Sequence, residues 1–180
     1  MLQITIPGTE MWDEKLEQFV YTKDETLQLE HSLISLSKWE SKWCKVFLSK
    51  KEKTYEETID YIKCMTLTQN VKPEVYNRLT KDNVDTIMAY INAPMTATFF
   101  SNKEQAKQSS EQVTSELIYY WMISLNIPFE CQKWHLNRLL TLVKVCNVKN
   151  APPKKMSKRD LASQNAARNA ARRAKLNSKG

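Results

Sequence analysis

The feature that most constrains the fold of this 180-residue chain is a change in the spacing of its apolar residues. Before Ser32, apolar residues alternate with polar ones, as in Leu2, Ile4 and Ile6. This alternation is typical of a strand with one buried face. After Ser32, apolar residues recur every three to four positions as far as Cys146, which is the period of amphipathic helices. The sequence therefore predicts a mainly α fold with a small N-terminal antiparallel β element, an α+β arrangement.

The alternating region contains three candidate strands, at 2–6, 19–21 and 27–29. Pro7 and Gly8 punctuate the chain after the first of them, as turn residues do. Because the strands follow one another closely, they can pair as neighbours. We expect a small antiparallel sheet or meander.

Residues that start and stop helices divide the remainder of the chain. Ser32 can cap a first helix, and Thr54 with Glu57 forms a capping box that starts a second. Pro94 cannot continue a helix, so it ends a helical region that begins at the capping box. We predict three short packed helices over residues 54–92.

Four segments follow from these signals. Residues 1–100 are predicted to form the β element and a helical bundle, and residues 101–112 are polar enough to form a linker or long loop. Residues 113–150 are predicted to form an apolar helical hairpin whose second helix opens at Pro128. We expect that hairpin to be the best-buried part of the molecule. Residues 151–180 are predicted to form a basic C-terminal helical tail.

The clearest functional signal is the uneven distribution of charge. Residues 151–180 hold nine Lys and Arg side chains against one acid, Asp160, a local charge of +8, whereas residues 1–150 hold 18 basic and 19 acidic side chains. The segment 161–176 has high helix propensity but few large apolar residues with which to pack. A solvated helix that confers only solubility is the simpler alternative to a binding arm. The predicted partner-binding residues are Lys154, Lys155, Lys158, Arg159, Arg168, Arg172, Arg173, Lys175 and Lys179.

Several kinds of chemistry are disfavoured by what the chain lacks. Its two glycines, Gly8 and Gly180, cannot build a phosphate-binding loop. Cys131 and His135 have the i, i+4 spacing of a metal pair or of a nucleophile and its base, but the sequence offers no matching second pair. We expect a packed thiol and a capping or interfacial histidine there. The sequence thus predicts no catalytic residues, no metal and no cofactor.

Other notable side chains have structural interpretations that we favour. Glu56, Glu57 and Asp60 form a carboxylate cluster that we expect to interact with the positive end of a helix dipole, not to act as a general acid and base. Four tryptophans in apolar stripes are predicted to be core residues: Trp39, Trp43, Trp121 and Trp134. The four cysteines form no CxxC pair and are expected to be reduced and buried: Cys44, Cys64, Cys131 and Cys146.

Four segments carry a resemblance to a known group of proteins. They are LEHSL at 29–33, SKWESKW at 37–43, NAPMTAT at 92–98 and IPFECQKWHLNRL at 127–139. They resemble small proteins encoded by tailed phages of Gram-positive bacteria. Within phage morphogenesis the chain is most similar to tail assembly chaperones, which share its size, a helical body with a separate C-terminal extension, and the lack of an active site.

The resemblance implies binding to the tape measure protein and delivery of tail tube subunits in the host cytoplasm. Two other functions remain open at this point. One is a virion structural protein, such as a neck or connector subunit, whose basic tail touches packaged DNA; the other is a small regulatory nucleic-acid-binding protein. Charge alone does not choose between phosphates and an acidic protein surface as the target of the tail. No stretch has the length of apolar sequence that a membrane span needs, so no membrane partner is expected, and the oligomeric state stays open.

Overall fold

The computed structural model describes residues 1–14, 17–100, 112–152 and 158–176. The predicted fold class is confirmed, since the described chain is mainly α with a small antiparallel β element near its N-terminus. The strands are β1 (Leu2–Ile6), β2 (Glu10–Asp13), β3 (Gln18–Tyr21) and β4 (Glu25–Leu29). The helices are α1 (Leu33–Trp43), α2 (Tyr55–Met65), α3 (Pro73–Tyr76), α4 (Lys81–Asn92), α5 (Ser115–Ser124), α6 (Leu136–Asn150) and α7 (Lys158–Leu176), with a 3-10 helix at Phe129–Lys133.

The strands form two nested antiparallel pairs. β1 pairs with β4, with Leu2 opposite Leu29 and Ile6 opposite Glu25, and β2 pairs with β3 between them in the chain. The predicted meander is wrong, because in a meander each strand pairs with the next. The sequence prediction also missed β2, whose four residues are too few for a clear alternation.

Contacts at the base of the β2–β3 hairpin explain the nesting. The Thr22 amide donates to the Thr9 carbonyl at 3.0 Å, which closes the chain into a narrow neck. The Arg78 guanidinium donates to the carbonyl oxygen of Pro7 at 3.1 Å and to the Thr22 hydroxyl at 3.0 Å. A Cβ on Gly8 would lie 1.9 Å from the Thr22 carbonyl oxygen, so this neck requires glycine. The neck joins residues about fourteen positions apart. A contact between such distant residues produces no periodic pattern in the sequence, so it could not be predicted.

The helix starts largely follow the capping residues. The hydroxyl oxygens of Ser32 and Thr54 accept backbone amides at the starts of α1 and α2, as predicted, and both hydrogen bonds of the Thr54 capping box are present. Thr114 caps α5 in the same way. α4 starts at Lys81 because Thr80 forms a capping box with Asn83, an arrangement that the sequence prediction missed.

The core is centred on β1, β4, α1 and α2, and not on the segment 113–150 as expected. Leu27, Leu29, Leu33 and Leu36 are fully buried, and α2 buries six of its eleven residues. Helices α5 and α6 bury three residues each. α5 is apolar on all sides but packs mainly against α1, so part of its surface is left exposed to solvent.

The second helix of the predicted hairpin begins later than expected. Pro128 opens the short 3-10 helix, and α6 starts only at Leu136. The Leu136 amide donates to the His31 carbonyl at 2.7 Å, and His135 forms an antiparallel bridge with Ser32. These contacts hold the chain in an extended conformation before α6, where a continuous helix could not reach His31.

The described chain separates into two compact units, Met1–Asn147 and Val148–Gly180. The predicted linker lies outside the described residues except for Gln112. Among the described helices, none combines the length and apolar character needed to cross a bilayer.

The predicted burial of aromatic residues and cysteines is met in part. Trp39 is buried, and Trp43, Trp121 and Trp134 are half-buried against the core. All four cysteines are free, but the prediction that all are buried holds only for Cys131, because Cys64 and Cys146 are half-buried and Cys44 is exposed. Cys44 ends α1 in the left-handed conformation, with φ of 50°, where the chain turns away from the core.

Candidate binding surfaces

The predicted binding segment forms the long helix α7, and every side chain described on it is exposed. Even the two leucines are open to solvent, Leu161 at 51% and Leu176 at 74%. The described basic side chains are Arg159, Arg168, Arg172, Arg173 and Lys175. Lys154, Lys155 and Lys179, and the side chain of Lys158, lie outside the described residues.

The helical period sorts the side chains of α7 into two faces. At about 100° per residue, Arg168, Arg172 and Lys175 share one face with Leu161 and Leu176. The opposite face carries small residues, Ala166, Ala170 and Ala174, together with two other basic residues, Arg159 and Arg173. The first face, which we call the cationic face, therefore combines three basic side chains with two large apolar ones.

The two histidines meet in the core. The rings of His31 and His135 lie 5.1 Å apart, and the Nδ1 atom of His31 is hydrogen-bonded to the Tyr61 hydroxyl. The Asn137 amide donates to Nδ1 of His135 at 3.3 Å, so Nε2 carries the proton and donates to the Tyr90 carbonyl at 3.0 Å. No sequence pattern indicates that these histidines, more than a hundred residues apart, are in contact.

Burial keeps both histidines neutral. Burial first, and then the nearby His135, lowers the pKa of His31 to about 3, and burial also lowers the pKa of His135. Cys131 is buried as well, and burial raises the pKa of its thiol. Within the described residues no three His, Cys, Asp or Glu side chains are grouped so as to hold a metal ion. The histidines act here as hydrogen-bonding core residues.

The carboxylate cluster of α2 splits into exposed and buried members. Glu56 is exposed, whereas Glu57 is buried and paired with Lys45. Asp60 is buried, paired with Lys42, and accepts a hydrogen bond from Trp43 Nε1 at 2.9 Å. These pairs join α2 to α1 and to the loop that follows it, which is a wider role than the expected interaction with the helix dipole.

These contacts hold both buried carboxyl groups in the charged form. The hydrogen bond from Lys45 and that from the Thr54 amide lower the pKa of Glu57. Burial raises the pKa of Asp60, but the hydrogen bonds from Lys42 and Trp43 outweigh it, and the net pKa is lowered.

Glu40 is a third buried carboxylate, and the sequence prediction did not single it out. One of its oxygens accepts the Phe47 amide at 2.9 Å and the other accepts the Ser115 amide at 2.7 Å. It therefore ties the loop after α1 to the first turn of α5. The sequence signal that could have indicated burial of Glu40 is its position on the apolar stripe of α1, next to Trp39.

A cleft of about 630 Å³ opens beside the histidines, within the size range of roughly 300–1,000 Å³ that is usual for ligand pockets. Its apolar wall is formed by Phe47, Leu48, Ile62, Met88 and Ile91. We call it the lysine-rimmed cleft, because its rim is formed by Lys50, Lys51, Glu52 and Lys53.

The rim lysines differ in their surroundings. Lys50 and Lys51 are exposed, whereas Lys53 is half-buried with its ammonium group 4.3 Å from the centre of the Phe47 ring. Burial lowers the pKa of Lys53, an effect that Glu57 partly offsets. The cleft thus joins an apolar wall to a positively charged rim.

The β2–β3 hairpin presents a second surface, with aromatic side chains on one face. Trp12 is directly opposite Phe19 and Glu10 opposite Tyr21, so all four share a face of the hairpin. Trp12, Phe19 and Tyr21 are 53%, 69% and 66% exposed, and the Trp12 and Phe19 rings meet edge to face at 5.0 Å. Exposed aromatic residues in such proximity are typical of interaction surfaces.

Acidic residues also lie on this hairpin. Glu10, Glu14 and Glu17 are exposed, and residues 10–17 hold four acids and one lysine.

In comparisons with known proteins, no protein-family model, no curated protein and no solved structure matches this chain.

Proposed function

We propose that the protein is a non-enzymatic phage tail assembly protein, a chaperone that binds the tape measure protein and tail tube subunits. The observation that carries the proposal is α7, a 19-residue basic helix on which every described side chain is exposed. Exposed side chains that do not pack in the surroundings of their own helix are available to contact a partner. The resemblance of the four segments to phage tail proteins supplies the partner class.

The environment of the polar side chains supports a function without catalysis. His31, His135, Glu40, Glu57 and Asp60 are each held by hydrogen bonds that join elements of the fold. A catalytic group needs a face open to substrate and a matched partner. These groups instead meet the hydrogen-bonding needs of a buried core, and His31, which lines the lysine-rimmed cleft, is only 2% exposed.

The composition of α7 favours a protein partner over bare phosphates. Its cationic face carries Leu161 and Leu176 beside the basic side chains. A phosphate backbone offers no apolar surface to these leucines, whereas a helical protein such as a tape measure offers apolar and acidic stripes side by side.

The test is capture of the tape measure protein by the full chain at low salt. A triple variant, Arg168→Glu, Arg172→Glu and Lys175→Glu, is expected to lose most of the retained protein because three attractions become repulsions. The matched control replaces three exposed lysines at the ends of other helices, Lys72, Lys81 and Lys133, by Glu and is expected to retain the tape measure protein. Absence of retention by the unmodified chain would contradict the proposal.

A second candidate function follows from the charge of α7, which carries six basic residues and one acid. It is binding of nucleic acid, either as a neck or connector protein that touches packaged DNA or as a small regulator. In that case affinity for duplex DNA falls steeply with salt, and the slope falls with each cation removed. Recovery of the protein in purified virions favours the structural role, because a chaperone leaves the particle and stays in the host cytoplasm.

A further inference from the structure

We propose that the protein associates with itself head to tail, with the β2–β3 hairpin of one copy inserted in the lysine-rimmed cleft of the next. The hairpin and the cleft both belong to the unit Met1–Asn147, so the proposal is independent of what α7 binds.

The two surfaces are complementary in charge and in polarity. The described acidic side chains of the hairpin, all exposed, are Glu10, Glu14 and Glu17, whereas residues 50–53 on the rim of the cleft carry a net charge of +2. The three exposed aromatic side chains of the hairpin match the apolar wall of the cleft. Opposite charge around a central apolar contact is the usual composition of a specific interface.

The geometry of the unit directs the hairpin to a second copy and away from its own cleft. The hairpin is attached at Glu25, the first residue of β4. The last residue of β4, Leu29, lies two positions before His31, which lines the cleft. Five residues of strand separate the two by roughly 15 Å.

Helix α4 also runs from the hairpin side of the unit to the cleft. Asn83 near its start donates to the Thr5 carbonyl at 3.3 Å, on the hairpin side, and Ile91 at its end lines the cleft. The hydrogen bonds between Thr9 and Thr22 fix the base of the hairpin at the end of β1 and β4 that is distant from the cleft.

The size of the contact sets the strength of association. The exposed parts of Trp12, Phe19 and Tyr21 amount to roughly 400 Å², at about 200 Å² for each whole side chain. This is about half of the 800 Å² per partner that a standard interface buries, so association is expected only at concentrations on the order of 100 µM. Because hairpin and cleft are different surfaces, each copy has both a free donor and a free acceptor, and the contact repeats as a ring or an open chain.

Sedimentation velocity of the full chain over a concentration series tests the proposal. The weight-average mass is expected to rise above the 21.1 kDa of one chain as concentration increases, and to fall back at high salt. The double variant Trp12→Ser and Phe19→Ser is expected to weaken association at least about tenfold while circular dichroism stays unchanged. Tyr120→Ser, which removes an aromatic residue that is 63% exposed on α5, is the matched control and is expected to associate like the unmodified chain.

Two charge-reversal variants separate self-association from other contacts. Glu10→Lys with Glu14→Lys, and Lys50→Glu with Lys51→Glu, are each expected to abolish association alone and to restore it when mixed, because each hairpin then meets a cleft of opposite charge. Arg172→Glu with Arg173→Glu on α7 is expected to have no effect.

Three results would overturn the proposal. They are a monomeric unmodified chain up to a concentration on the order of 1 mM, failure of the mixture to associate, and loss of association on changing α7. A monomeric chain is also the result expected if the cleft binds a different acidic partner and not a second copy.

Discussion

The core around β4, α1 and α2 and the helix α7 reach a helical structure by opposite means. Helices α1 and α2 have eleven residues each, which is short for a helix that must persist in water without packing. They bury apolar side chains, and their buried polar groups are hydrogen-bonded to neighbouring elements. α7 has nineteen residues, is rich in Ala and Arg, and buries none of its described side chains. Packing stabilises α1 and α2, whereas helix propensity and length stabilise α7.

The comparison has a functional consequence. A side chain in the core can be changed only at a cost in stability, because its partners lie on other elements. A side chain of α7 can be changed freely as far as folding is concerned, so the composition of α7 can follow the needs of a partner. Substitutions in the core and in α7 test this difference.

The largest effect is expected for Glu40→Ala. The change leaves the Phe47 and Ser115 amides without an acceptor in a buried site, which costs about 2–5 kcal/mol in free energy of unfolding. Urea unfolding measures the loss. Glu56→Ala is the control at an exposed position of α2 and is expected to stay within about 0.5 kcal/mol of the unmodified chain. Equal effects at the two sites would contradict the role of Glu40.

A smaller effect is expected from acidification. The pKa of His31 is lowered from 6.5 to about 3 in the folded protein, so the unfolded chain binds the proton first as pH falls. The stabilisation is complete above pH 6.5 and is lost below it by about 1.4 kcal/mol per pH unit. Unfolding free energies measured between pH 7 and 5 test this before carboxyl groups titrate, near pH 4.

His31→Gln is the variant that isolates this effect. Its amide retains a hydrogen-bonding partner for Tyr61 but does not titrate. The slope of stability against pH is expected to become shallower, leaving the contribution of His135. An unchanged slope would show that His31 is not the group responsible.

A third test compares one substitution in both regions. Ala89→Gly on an exposed position of α4 is expected to lower the free energy of unfolding of the body by about 1 kcal/mol. Ala170→Gly on α7 is expected to reduce helical ellipticity but to leave the cooperative thermal transition in place. A shift of that transition by Ala170→Gly would show that α7 contributes to the stability of the core.

The smallest effect is expected for truncation after Asn150. Because no described side chain of α7 is buried, the free energy of unfolding is expected to change by less than about 0.5 kcal/mol. Chemical denaturation of the two chains side by side measures it. A larger loss would mean that the C-terminal unit does more for the fold than its exposed side chains indicate.

Local signals in the sequence were sufficient for a large part of this fold. The caps at Ser32 and Thr54 and the change of apolar period identified the main helices and the β element, because these signals depend on neighbours within one helical turn or one strand. The basic tail was likewise predictable as a helix with little to pack. What it binds stays a prediction.

Contacts between distant residues were beyond such signals. The pairing of β1 with β4 depends on the neck at Gly8 and Thr22, and the extended chain before α6 depends on the carbonyl of His31. The lysine-rimmed cleft likewise combines residues from the loop after α1, from α2 and from α4. No periodicity within any one of these segments shows that they meet.

Local sequence signals specify which residues form helices, where most of the helices start, and that positive charge collects in a segment unable to build a core. Contacts between distant segments specify that Glu40, His31 and His135 are buried, that Trp12 and its neighbours are exposed, and that the core is centred on β1, β4, α1 and α2. The reason is physical. Helix propensity and capping act over a few residues, whereas the burial of a side chain is fixed by whichever distant segments exclude water from it.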